Sequence, residues 1–378
     1  MTATLPDWAH WRSAARPAAS YTLGVEEEVM LLDPGNWALA ARIDDVLPLL
    51  PEHLLAHMTA ETHGSALELA TGVHGTVSEA ATELHGLRNE LVAALEPFDL
   101  RAAVAGVHPF AVWQDTVISE GERYQFLYGS MRELARREPT FALHVHVGVT
   151  DPQDAVRLAR QLRAHLPLLL ALSVNSPFWQ GRDTGLSSAR TPLFQAFPRV
   201  GIPRAFSSYE EYVEAIDLLI RCGALPDPTF LWWDVRLQPR FGTVEIRICD
   251  AQTAVRDTAA IVALIQSISR LELEEGFAHP ALVHAPEVLS ENRFLAARDG
   301  MDAALVVPQL STRVPALELV EELVAACRPH AEVLGCSTEL EGVRVLAVTP
   351  GARRQLNLAQ RGDKLQGLVR ALSDAFLD

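Results

Sequence analysis

The chain has 378 residues, 49% of them hydrophobic, which is enough to bury a sizeable core and too apolar for a disordered polymer. Its 32 basic and 48 acidic residues give a formal charge of −16, which opposes non-specific attraction to nucleic acid or to an anionic membrane. An anionic substrate therefore needs local cations or a metal. No apolar leader with a cleavage pattern appears in residues 1–20, and nowhere do about 18 uninterrupted apolar residues occur, so we expect a cytoplasmic chain without a membrane span. Cys222, Cys249, Cys327 and Cys336 have no C-x-x-C spacing and are few for this length, which predicts free thiols, mostly buried.

The first predicted element is a strand within Tyr21–Leu32. A period of two places Glu26 and Glu28 on one face, opposite Leu23, Val25, Val29 and Leu31. Glu27 points the other way and reads as a structural ion-pair partner. The run Ala66–Ala70 carries Glu68 between leucines, but five residues cannot fix a period, so an exposed amphipathic helix competes with a strand. A helix follows from about Ser78 to Leu95, with Leu84, Leu87, Leu91 and Leu95 at helical spacing. The segment Leu143–Val149 is a second alternating strand, with His144 and His146 together. Asp151 and Pro152 look like an N-cap and first-turn proline opening a helix through Leu172, which Pro167 should kink or divide. Residues 175–206, rich in Gly, Pro, Ser and Arg, read as a long loop of the kind that carries function. Ser207 and Ser208 can cap a helix to Arg221. The strand Val244–Ile248 places Glu245 and Arg247 on its polar face, a helix spans about Ala254 to Leu273, and the chain from Ala281 reads as helical with loops. Water-facing strands favour Thr, Lys or Ser over paired Glu or His, so three such strands point to a polar cavity walled by sheet. One apolar and one polar face imply an antiparallel sheet, hence an α+β fold. The seven tryptophans read as packing residues rather than a base-stacking platform.

Phosphate-loop, dinucleotide-fold, zincin and serine-hydrolase motifs are all missing. What remains is a carboxylate-rich set with two histidines and several arginines. Hard oxygen ligands suit Mg²⁺ or Mn²⁺ better than zinc, and magnesium with arginines points to phosphate chemistry.

Six segments, in order over roughly residues 21 to 300, carry a family resemblance: Gly24-Val25-Glu26-Glu27-Glu28, Leu143 to Gly148, Asn175 to Gly185, Trp233-Asp234-Val235-Arg236, Phe241 to Asp250, and Glu291-Asn292-Arg293. In these the chain resembles the carboxylate-amine ligases of the glutamate-cysteine ligase type 2 group. The resemblance implies a glutamine synthetase-like fold, in which a curved antiparallel sheet forms an active-site funnel for ATP and Mg²⁺ (or Mn²⁺), with helices on the outer face. It implies one catalytic domain over residues 1–378. It also implies ATP-dependent amide formation of the γ-glutamyl type from small-molecule acid and amine substrates: a carboxylate is phosphorylated to an acyl phosphate, which an amine then attacks.

On that reading Glu26, Glu28, Glu68, His144 and Glu245 are metal ligands, with Glu68 resting on the thinnest signal. Arg247 holds the transferred phosphoryl group, His144 and Arg236 accompany it at the nucleotide, and His146 is an active-site residue without a fixed role. Arg182 and Asn175 are expected at the substrate, although Arg182 has a rival role bracing its own loop through Asp183. Asp234, Arg236, Asn292 and Arg293 also fit as supporting braces. The lead-in Phe141-Ala142, the pair Ala66-Leu67 and the run Thr191-Pro192-Leu193-Phe194 depart from the family pattern, so the amide-forming machinery is a firmer expectation than glutamate and cysteine as substrates. The alternatives are a guanidino or amine phosphotransferase of the same fold class, and a zinc-dependent hydrolase or noncatalytic metal-binding protein built on His144 and His146. The oligomeric state, including a homo-oligomer, stays open.

Overall fold

A computed structural model describes residues 5–12, 20–137, 139–361 and 364–378. Residues 1–4 and 13–19, read above only for the lack of an apolar leader, lie outside the described residues. Among the described residues seven strands form one antiparallel sheet: β1 (Leu23–Leu32), β2 (Met58–Ala60), β3 (Ala66–Ala70), β4 (Arg101–Ala103), β5 (Ala142–Gly148), β6 (Val235–Gln238) and β7 (Thr243–Asp250). Their order is β6-β7-β5-β1-β3-β2. Met30 pairs with Ala66 on one side of β1 and with Ala103 on the other, so β4 takes over from β5 towards the end of β1.

The alternation read from sequence fixes the two faces. Leu23, Val25, Val29 and Leu31 are buried against the helices, with Val145, Val147, Val244 and Ile246 beside them. Glu27 lies on this same apolar side, fully buried, and meets Arg88 through bonds of 2.9 Å and 2.5 Å. Arg88 belongs to α1 (Val77–Leu95), which Thr76 and Glu79 start with a reciprocal capping box. The same guanidinium donates to the carbonyls of Gln252, Thr253 and Phe376, so one buried ion pair ties the sheet to the last helical segment.

The helical layer centres on α6 (Val255–Glu274), buried nearly all round and packed by α1, α3 (Pro152–Leu162), α8 (Ala316–Leu334) and α9 (Ser337–Val348). A helix apolar on every side belongs in the middle of such a layer. Before α3 comes α2 (Glu122–Met131), at the rim of the sheet's polar face; after it come α4 (Leu166–Ser173), α5 (Tyr209–Arg221) and α7 (Pro286–Asp299). Asp151 caps α3 by accepting from the amides of Gln153 and Asp154. The helix predicted through Leu172 is two helices, because Pro167 sits in the first turn of α4, where its missing N–H costs nothing. The predicted loop 175–206 holds a ribbon of Phe178–Trp179 with Arg182–Asp183, a single-turn helix Arg190–Phe194, and a short strand Val200–Gly201 parallel to Trp232–Trp233. Apolar residues from Ala9 to Phe376 join one hydrophobic cluster. Cys249, Cys327 and Cys336 are buried and Cys222 is exposed, all as free thiols. No helix among the described residues is long and apolar enough to cross a membrane.

Candidate active site

Strand register converts the separate sequence signals into one constellation. Glu26 lies opposite His144, Glu28 opposite Glu68, Glu245 opposite His146, and Arg236 opposite Glu245. Glu68 is therefore on a strand, which resolves the ambiguity of its five-residue run. The face they share is one wall of a cavity of about 420 Å³. Across from the sheet stand Arg123 and Tyr124 of α2, Arg190 and Phe194 of the single-turn helix, Phe197 and Trp232.

At the centre, His144 Nδ1 is 3.2 Å from Glu26, and His146 Nε2 is 3.1 Å from the other oxygen of the same carboxylate. His146 Nδ1 is tied to Thr243 Oγ1 at 2.9 Å. Glu245 is fully buried and receives a two-pronged bond from Arg236 (2.9 and 3.1 Å), a bond from Gln238 (2.7 Å) and another from Arg247. These cations outweigh burial and hold the Glu245 carboxyl well below its usual range. Glu26 is likewise depressed: burial pushes it up, but His146 and His144 win. The opposite end of the cavity behaves otherwise. Burial, reinforced by Glu61, pushes Glu28 up to about 8, and burial with crowding by Glu26, Glu61 and Glu28 raises Glu68 well above the ordinary value. Burial raises Glu61 too. His144 is pushed down to about 4 by burial and Arg247, so at neutral pH it offers a lone pair rather than a charge.

Three overlapping groups bring one ligand atom from each residue within 4.8 Å of the others: Glu26, Glu68 and His144; Glu26, His146 and Glu245; Glu28, Glu61 and Glu68. Crowded buried carboxylates without a counter-charge are what a hard divalent cation relieves, so this donor set fits Mg²⁺ or Mn²⁺.

The expected residues are not all brought together. Arg247, half-buried and reaching Glu245 from one strand period away, faces the cavity. Arg236 lines it as well, but its donors go to Glu245 and to the carbonyls of Thr229 and Leu231, so it braces Glu245 rather than a nucleotide. Arg182 is exposed in its ribbon and does not line the cavity; the turn through Gln180 and Gly181, both with positive φ, carries it away. Asn175 does not line the cavity either. Its side chain is buried, donating to Ala251 O and accepting from Gln355, and a Cβ on Gly351 would lie 2.1 Å from its oxygen. It locks the C-terminal helices onto the long loop. Asp234 pairs with Arg293 at 2.6 Å, and Asn292 bonds both backbone groups of Val306, so those motif residues are braces.

Sequence reading missed Glu61, Arg123 and Arg190. Glu61 follows β2 at a period of two from Thr59, which is opposite Glu68, a signal visible only once that strand is known. Arg190 is the buried arginine of the long loop, fixed by the carbonyls of Ile248 and Arg247. Trp232 reaches the cavity too, against the expectation that the tryptophans serve packing alone.

Residues 22–375 match the family described as Glutamate-cysteine ligase family 2. The chain belongs to that family. It is thereby an ATP-dependent carbon–nitrogen ligase, which sets aside the phosphotransferase and hydrolase readings. A Rubrobacter xylanophilus protein, provisionally named glutamate--cysteine ligase 2-1, is 40% identical over 94% of each chain. A Sorangium cellulosum protein, provisionally named glutamate--cysteine ligase 2, is 39% identical over 92% of this chain and 94% of its own. Among solved structures, glutamate–cysteine ligase from Francisella tularensis in complex with AMP superposes with a TM-score of 0.71 at 12% identity, covering 97% of this chain and 89% of that one. A bifunctional glutathione synthetase from Pasteurella multocida gives 0.70 at 14% identity over 95% of this chain and 52% of its own. The fold of this family of ligases, with its antiparallel sheet and outer helices, is the fold predicted.

Proposed function

We propose that this chain, acting as one catalytic unit in the cytoplasm, joins a small carboxylic acid to an amine at the cost of ATP, with γ-glutamylcysteine formation the first reaction to test. The observation that carries the reading is the division of the cavity into a pinned anionic centre beside Arg247 and a crowded carboxylate corner at Glu28, Glu61 and Glu68. Phosphorylating a carboxylate brings two anions together, and both halves of that problem have an answer here.

Glu26, Glu28, Glu61, Glu68, Glu245 and His144 would hold divalent cations. Such ions, when bound, neutralise the charge on the phosphate chain. Arg247, kept in place by Glu245, presents its guanidinium to the transferred phosphoryl oxygens. Arg190 extends the cationic wall toward the substrate acid. The acid oxygen attacks the γ-phosphorus and ADP leaves; the amine nitrogen then attacks the acyl carbon, inorganic phosphate departs, and the amine proton goes to an acceptor. His146, set in orientation by Thr243 and facing Glu26, is placed to take part in that proton movement. Trp232, Phe194 and Phe197 supply flat apolar walls away from the charges.

The test is an ATP-consumption screen with magnesium against pairs of amino acids and amines, with mass detection of the conjugate. The reading requires inorganic phosphate and conjugate in equal amounts, dependent on both co-substrates. A phosphorylated amine without free phosphate, or tightly retained zinc in the purified protein, would overturn it.

A further inference from the structure

Behind the single-turn helix Arg190–Phe194 lies a second cavity, also of about 420 Å³. The helix is the partition. Arg190 and Phe194 face the active site, while Thr191 and Pro192 face the second space. The far wall is α7, with Ser290 exposed on it, and the strand around Gly201 closes one side.

Among the described residues the lining holds two arginines and no carboxylate, in a chain of formal charge −16. One of them, Arg293, is neutralised by Asp234 at 2.6 Å. The other is not. Arg163 sits in the break between α3 and α4, only 3% exposed, and donates from Nη1 to Val283 O at 2.5 Å. Its Nε is buried with no partner, and among the described residues no carboxylate lies within ion-pair distance of it. A buried guanidinium without a counter-charge costs the fold stability, and nothing in the ligase chemistry uses it.

We infer that this cavity binds a small organic acid whose carboxylate meets Arg163 and whose apolar body lies against Ile202, Leu289 and Phe294, and that occupancy is felt at the active site through the Arg190–Phe194 helix. The apolar wall selects the class: inorganic phosphate satisfies the arginine but gains nothing from three hydrocarbon side chains. The coupling has a physical route. Arg190 is held by the carbonyls of Arg247 and Ile248, on the strand that carries Glu245 and Arg247 into the active site. Displacing the helix from behind shifts both ends of that contact, and by linkage active-site ligands alter the acid's affinity by the same factor.

Calorimetric titration of the purified protein with phenylacetate tests the site, with phenylacetamide and inorganic phosphate as controls. Phenylacetate should bind at least about tenfold more tightly than the amide, since only the acid forms a charge-assisted pair, and phosphate should compete only weakly. Arg163→Gln should abolish the difference between acid and amide. Ser290→Phe, an exposed substitution that fills the cavity mouth, should weaken both and serves if Arg163→Gln does not fold. Arg247→Lys should bind phenylacetate as wild type does. Saturating phenylacetate should change ATP turnover in wild type but not in Ser290→Phe. That arm rests on the ligase reading; the calorimetric arm does not, so the two failures are distinguishable. Equal binding of acid and amide, wild-type binding by both cavity variants, loss of binding only in Arg247→Lys, or turnover indifferent to a bound acid would each overturn the proposal.

Discussion

Replacing Glu28 with Gln should make the metal-free protein more stable while making the enzyme nearly inactive. Glu28 is 14% exposed and is pushed from the ordinary 4.5 up to about 8 by burial and by Glu61. The folded chain therefore holds a proton at pH 7 that the unfolded chain has released. Holding it across roughly 2.5 pH units at about 1.4 kcal/mol each amounts to about 3 to 4 kcal/mol. The sign follows from proton counting: between pH 4.5 and 8 the folded state binds more protons, so this penalty is absent below the lower value, grows with pH and levels off above the higher. Glutamine keeps the shape and still accepts the 2.6 Å bond from the Ala142 amide, but it has nothing to titrate. In chelator, denaturant titrations at pH 5 and pH 7.5 should show Glu28→Gln within about 1 kcal/mol of wild type at the lower pH and about 4 kcal/mol more stable at the higher. Turnover with saturating magnesium should fall by about a hundredfold or more, because a ligand has been lost. Wild-type magnesium binding at pH 7 should release at least one proton and strengthen with pH up to about 8. A Glu28→Gln protein equally destabilised at both pH values, or retaining wild-type turnover, would refute the reasoning.

Glu245→Gln should behave in the opposite sense: it leaves the buried guanidinium of Arg236 and the half-buried one of Arg247 without their anion, at a cost of about 3–5 kcal/mol at pH 7 by denaturant titration, together with loss of turnover. Arg247→Lys keeps the charge but loses the planar fork, so single-turnover phosphoryl transfer should slow by about one to three orders of magnitude while ATP binding by calorimetry changes less. Arg182→Ala should leave the KM of the acid substrate within about twofold of wild type, since the residue is exposed outside the cavity; a tenfold rise would place it at the substrate after all.

What the sequence disclosed and what it hid divide along one physical line. In β1, β5 and β7 side-chain alternation is a local property of an extended backbone, so the shared face of Glu26 and Glu28, or of His144 and His146, was written in consecutive residues. So was the reversed orientation of Glu27, although its partner Arg88, far along the chain, was not. Pairing is different. That Glu28 meets Glu68, or that Glu61 completes their group, depends on the register of β1, β3 and β2, which no single segment encodes. Loop residues were the least legible. Arg182 and Arg190 are eight positions apart in one irregular stretch, and only the positive-φ turn at Gln180 and Gly181 against the inward helix at Arg190 decides which arginine faces the cavity. The resemblance directed attention to the first when the second was the one buried in the wall.

The cavity's charges also order its ligands. Among the described residues five carboxylates line it against four arginines, but the arginines are not shared evenly. Arg236 and Arg247 are spent on Glu245, and Arg123 bonds Thr229 at the rim. Arg190 lowers Glu28 only in part, leaving that carboxyl near 8. A cation entering an apo cavity therefore gains least beside Glu245, where positive charge is already present, and most in the corner of Glu28, Glu61 and Glu68, where it replaces protons. An arriving phosphate chain sees the reverse: the protonated corner offers it no positive charge until that corner is filled with metal, while the Arg247 end attracts it throughout. On this reasoning metal occupies the corner before nucleotide is held productively, and ATP affinity measured in chelator should fall far more steeply than the affinity of an uncharged adenosine, because only the phosphates gain from cations held in that corner.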